Sequence, residues 1–191
     1  MRRSLWLVWI ALAVHTVWFA PSELPSDVLE MSRRLTLFDW PEPALSALWY
    51  VTGTTLFLHA SIFFAERPQH RPHPLPVFLL SPLLGSLVLL PYYALRRRDE
   101  TRQPWRWPWR LLRVVLVVEI IGFSLYGVIA GDLSGLWHEV THRKFSHFLL
   151  LDCAILLALL PPLTAGKLDD AGPPRARVFT VIRRAPSSLA R

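Results

Sequence analysis

The apolar residues of this chain are gathered into long blocks with the charges driven between them. That segregation constrains the fold more than any other feature. The blocks cover about residues 5–20, 44–65, 74–95, 111–130 and 145–165. A helix rises 1.5 Å per residue, so about 20 apolar residues cross the roughly 30 Å hydrocarbon core of a bilayer. Lipid offers the backbone no hydrogen bonds, so a crossing segment must be a helix or part of a closed barrel. The pattern predicts an all-α polytopic membrane bundle of about five transmembrane helices over residues 1–166, with a basic, flexible tail over 167–191. The 52% hydrophobic content fits, being above the roughly 45–50% of soluble domains.

Individual blocks carry individual signals. The first follows Arg2-Arg3 and is only about 24 Å long, which resembles a secretory signal. Trp18 and Phe19 stand where a cleavage site needs small residues, so a retained span is expected. The third contains Pro74, Pro76, Pro82 and Pro91. Proline deletes a backbone donor and kinks a helix, so this block is expected to bend or re-enter, with the break between Pro82 and Gly85. The fourth holds Arg113 and Glu119, and the fifth holds Asp152 and ends at Pro161-Pro162.

The connections set orientation and partners. Residues 96–110 hold six arginines interleaved with Trp105, Trp107 and Trp109. Indole rings favour the head-group layer, so these tryptophans read as an interfacial anchor and lipids as a partner. The net charge of +7 is spread over loops and tail. No soluble basic face of the kind that binds nucleic acid is visible. With five spans, an outside N-terminus leaves six basic residues outside and fourteen inside, and the positive-inside rule then puts the C-terminus in the cytoplasm. Cys153 is the single cysteine, which excludes an internal disulfide and a cysteine-based metal cluster.

Polar groups at membrane depth need a reason. His59, Glu119 and Asp152 all fall between mid-membrane and one face, and His15 towards the other. Thr52, Thr55 and His59 share one helical face by their spacing, as do Glu119, Gly122 and Tyr126. Two readings stay open: interhelical hydrogen bonding that holds the bundle, or a ligand-binding or proton-relay pocket of His59, Glu119, Asp152, Thr55 and Tyr126. His138-Glu139-Val140-Thr141-His142 matches H-E-x-x-H, in which two histidines four apart on a helix bind zinc and the glutamate activates water. A third ligand would be needed. His147 and Asp152 stand at no standard spacing for it, and the segment reads first as solvated histidines in a short interfacial loop, with zinc binding as the minor reading. No cofactor is expected, and zinc would enter only through His138 and His142.

Four stretches resemble known sequences. They are Leu5–Val14 closing at Ala20-Pro21, Leu90–Arg96, Leu125-Tyr126-Gly127 with Gly131-Asp132, and Phe145 through His147, Asp152 and Pro161-Pro162-Leu163 to Asp169-Asp170-Ala171-Gly172. Together they resemble an uncharacterised family of small multi-pass membrane proteins of cyanobacteria and chloroplasts. The resemblance implies a photosynthetic lineage and a thylakoid or plasma-membrane location. It puts weight on His147, Asp152, Asp169 and Asp170 without giving them roles. The expected function is a non-enzymatic accessory, assembly or structural component of a membrane complex, with intramembrane binding or transport, and then a zinc peptidase, as alternatives.

Overall fold

The computed structural model describes residues 2–18, 24–37, 39, 42–65, 73–96 and 107–164. Among them are eight helices and no strand: α1 (Arg2–Trp18), α2 (Pro25–Thr36), α3 (Pro43–Ala65), α4 (Pro74–Leu84), α5 (Ser86–Leu95), α6 (Trp107–Ala130), α7 (Leu133–His142) and α8 (Lys144–Thr164). The expected tail lies outside the described residues, as does Trp105.

The all-α reading holds among the described residues, and the five expected spans are matched there in part. Three helices are long and apolar enough to cross a membrane, over Pro43–Phe64, Trp109–Ala130 and Lys144–Thr164. The first block yields a helix of 17 residues, about 26 Å long. The third block is two helices of 11 and 10 residues, about 16 and 15 Å each, parted at Gly85 (φ 51°). The expected break between Pro82 and Gly85 is there, and it is complete enough that neither half crosses alone.

Two connecting segments fold into helices that apolar blocks do not reveal. In α2, Val28, Met31, Ser32 and Leu35 turn inward, the i, i+3, i+4, i+7 pattern of an amphipathic helix. Tyr50 of α3 donates its hydroxyl to the Leu35 carbonyl at 3.0 Å. On the outer face Glu30 bridges Arg33 and Arg34 at 2.8 and 3.1 Å. Hydrogen bonds from Arg33 and then Arg34 hold its carboxyl down at about 2. The H-E-x-x-H segment is not a loop: it forms α7, capped by Asp132, whose carboxylate accepts from the Ser134 N–H at 2.9 Å and hydroxyl at 2.7 Å. That hydroxyl is the main reason the Asp132 carboxyl titrates below its usual range.

Helix α6 packs along α3 through small residues. A Cβ at Gly127 would stand 2.6 Å from the Ala47 methyl, and one at Gly131 would stand 2.6 Å from the Ala44 methyl. Glycines four apart let two helix backbones approach. Glu42 locks the end of this contact, accepting from the Leu45 N–H at 2.6 Å and the Asp132 N–H at 3.1 Å. At the other end Arg113 donates from Nε to the Ser61 hydroxyl and from its terminal nitrogen to the Ser61 carbonyl, both at 3.2 Å.

The remaining core joins α1, α3, α5 and α8 through Leu5, Leu12, Leu56, Ile62, Phe63, Leu89, Leu90, Tyr92, Tyr93, Leu156, Leu159 and Leu163. Proline shapes its polar seams. Pro82 cannot donate to the Phe78 carbonyl four residues back, and the Ser81 hydroxyl takes that acceptor at 3.0 Å. Pro91 likewise leaves the Leu87 carbonyl without its helical donor. Here the replacement comes from another helix: the Trp9 indole N–H of α1 reaches the Leu87 carbonyl at 2.8 Å.

This last pairing makes a test. Trp9→Phe should lower unfolding stability in detergent by about 1–3 kcal/mol, the range for stranding a buried polar group. In a Pro91→Ala background, where the backbone can supply its own donor, the same change should cost less, and a double-mutant cycle from thermal unfolding measures the difference. Equal costs in both backgrounds would refute the link between proline and tryptophan.

Candidate functional site

Three of the five polar residues expected to share a pocket are buried together in the bundle, and each is engaged. His59 is fully buried. Its Nε2 stands 3.0 Å from the Leu156 carbonyl of α8, which can only accept, so Nε2 carries the proton. In the neutral ring Nδ1 is then the acceptor, and it takes the hydroxyl of Tyr93 in α5. One imidazole thus ties α3, α5 and α8. Phe63 stacks on Tyr93 with ring centroids 5.3 Å apart, and the Arg96 guanidinium lies 4.3 Å above the Phe63 ring, a cation–π contact closing the end of α5.

Asp152 is the second buried group. Its carboxylate accepts the N–H of Ser86, the first residue of α5. A Cβ on Gly85 would fall 2.2 Å from one carboxylate oxygen, so only glycine lets this carboxylate seat against the break. Helix N-termini expose unpaired N–H groups and carry partial positive charge. Asp152 therefore caps α5 from across the bundle, a role the Gly85 N-cap position lacks a side chain to fill. Thr55, also buried, bonds back to the Val51 carbonyl at 2.7 Å.

Glu119 and Tyr126 are elsewhere. Both are exposed on α6, where they line a shallow depression with Gly122 and Phe123. The shared face of Glu119, Gly122 and Tyr126 expected from spacing exists, but it points away from His59 and Asp152. The arrangement is a buried hydrogen-bonded set on one side of the chain and a carboxylate on the outer surface on the other.

The H-E-x-x-H residues sit at the surface of α7. The His138 and His142 rings stack at 4.0 Å between centroids, His142 donates from Nδ1 to the His138 carbonyl at 2.9 Å, and Glu139 pairs with Arg143 at 2.8 Å. Among the described residues no group of three His, Cys, Asp or Glu side chains is placed to hold a metal. Of the interfacial tryptophans, Trp107 opens α6 and Trp109 follows in its first turn, half-buried.

One pairing has no signal in sequence spacing. His15 of α1 and His147 of α8 meet Nε2 to Nε2 at 2.7 Å, with ring planes 19° apart. The Val140 carbonyl accepts from His147 Nδ1 at 3.0 Å, which leaves His147 Nε2 as the acceptor and His15 as the donor. The bond fastens the C-terminal end of α1 to the start of α8. His15 and His147 are 132 positions apart, and only tertiary packing brings them together.

No protein-family profile, curated protein or solved structure matches the chain.

The buried set predicts its own mutational pattern. Asp152→Ala should destabilise by about 1–3 kcal/mol through the stranded Ser86 N–H, while Asp152→Asn, which keeps an acceptor oxygen, should lose less. Gly85→Ala should cost at least as much through clash and positive φ, whereas Gly53→Ala, where a Cβ meets nothing within 4 Å, should be neutral or stabilising. Thermal unfolding in one detergent ranks the four, and a Gly85→Ala variant as stable as wild type would overturn the capping account.

Proposed function

We propose that this chain is a non-enzymatic integral membrane protein that works by lateral association, as an accessory, assembly or structural component of a larger membrane complex. One observation carries the reading: most of α6, a helix of full span length, is exposed. Only 17% of its apolar window is buried, against 61% for α3, and an exposed carboxylate, Glu119, stands near its middle. A charged group facing lipid at mid-membrane costs several kcal/mol, on the order of 3 by the insertion scale. A covering partner removes that cost. The buried His59 and Asp152 support the same reading, because the hydrogen bonds they make are helix-to-helix ties.

Topology follows with three crossings by α3, α6 and α8. The N-terminal side then carries Arg2, Arg3, Arg33, Arg34, Arg143 and Lys144, and the other side carries fourteen basic residues. The six-to-fourteen division is the same as for five crossings, so the positive-inside rule again places the C-terminus in the cytoplasm or its equivalent. On the resemblance to the cyanobacterial and chloroplast family, the complex belongs to a photosynthetic membrane, thylakoid or plasma.

A photo-crosslinking residue at Val115 or Ile129, introduced one at a time and activated in native membranes, tests the association. A discrete protein adduct at either position is the expected result. Adducts to lipid alone at both would refute lateral association through α6.

A further inference from the structure

The outer surface of α6 holds two faces of different chemistry. Leu112, Val115, Glu119, Gly122, Tyr126 and Ile129 are all exposed and recur at alternating steps of three and four residues. That is the a/d repeat of a left-handed helix pair. Val114, Val118, Ile121, Leu125 and Val128 are exposed beside them and are wholly apolar, a face at ease in lipid. The face turned to α3 is a third one: Arg113 bonds Ser61, Phe123 stacks on Tyr50 with centroids 5.0 Å apart, and Gly127 abuts Ala47. The polar seam is therefore separate from both the internal contact and the purely apolar face.

Within that seam the polar group and the space for a partner are adjacent. No hydrogen bond or ion pair among the described residues engages Glu119. One turn on, a Cβ at Gly122 would meet nothing within 4 Å, which leaves a notch beside the carboxylate. A single polar residue at an a position of an otherwise apolar seam fixes register and partner, and interhelical hydrogen bonds supply the specificity that apolar contacts lack in lipid.

We propose that the Leu112–Ile129 seam receives a membrane-spanning helix of another protein that carries, at the depth of Glu119, a cationic or amide side chain donating hydrogen bonds to its carboxylate. Charge complementarity selects the donor, and the Gly122 notch admits the partner's backbone or side-chain stem. This rests on the lateral-association reading and names the partner's chemistry.

The test uses the full chain, fluorescently labelled at its C-terminus, in phosphatidylcholine vesicles with synthetic leucine-rich membrane-spanning helices. These carry a single central Lys, Gln, Glu or Leu and an acceptor dye. Energy transfer should show the Lys and Gln helices associating about 5- to 30-fold more tightly than the Leu helix, the range for one interhelical hydrogen bond, and the Glu helix no better than Leu. Glu119→Leu should abolish the discrimination and Gly122→Leu should weaken it. Both substitutions lie on an exposed face, and unchanged thermal unfolding checks that the bundle stays intact. Equal binding of the Leu and Lys helices, or discrimination that survives Glu119→Leu, overturns the proposal. So does self-association of the chain that the guest helices fail to compete, which would make a second copy the occupant. The crosslinking at Val115 and Ile129 separates the two levels: a protein adduct there with no donor preference in vesicles leaves lateral association standing and removes only the donor.

Discussion

A backbone N–H or C=O that leaves the helical ladder away from water must find another partner, and this bundle is organised by that requirement. The α4–α5 segment breaks the ladder three times, at Pro82, Gly85 and Pro91. Each break is answered: Ser81 for the first, the Asp152 carboxylate of α8 for the second, the Trp9 indole of α1 for the third. Two of the three answers come from other helices. The defects in α4–α5 are thus what hold α1 and α8 in register with it, because a partner shifted by one turn would strand a buried polar group at a cost of about 1–3 kcal/mol.

His59 extends the same logic to α3. Its two nitrogens face a carbonyl and a hydroxyl on different helices, so its ring orientation is fixed by chemistry at both ends. Apolar packing alone does not distinguish a helix from its neighbours in lipid, which is as apolar as leucine. Directional bonds do, and here they cluster at His59, Asp152, Trp9 and the His15–His147 pair. The other half of the bundle, α3 against α6, relies on close approach at Gly127 and Gly131 and on end fastenings at Glu42 and Arg113. On the rest of α6 most large apolar side chains are exposed, among them Val114, Val118, Ile121, Leu125 and Ile129.

Legibility in the sequence tracked how local the physics is. The crossings at α3, α6 and α8 were readable because length and hydropathy are local sums. The break near Gly85 was readable because proline and glycine act on their own backbone. α2 and α7 were hidden by their charges, since amphipathic helices of 12 and 10 residues form no apolar block. The one-face spacing of Glu119, Gly122 and Tyr126 was readable too, but periodicity gives a face without saying what it looks at.

The sequence by itself pointed to an all-helical chain of five apolar blocks, of which three match helices long and apolar enough to cross a bilayer, to an uneven division of positive charge between the loops, and to a short set of polar residues within the apolar blocks. Those properties depend on composition over windows of about 20 residues. Only the tertiary structure decided which polar groups meet. It turned Asp152 into a cap for α5, joined His15 to His147, gave the Leu87 carbonyl that Pro91 leaves without a donor to Trp9, and put Glu119 outside. The physical reason is that these are pairings between helices far apart in the chain, set by rotation and register, and neither quantity is written in any one segment.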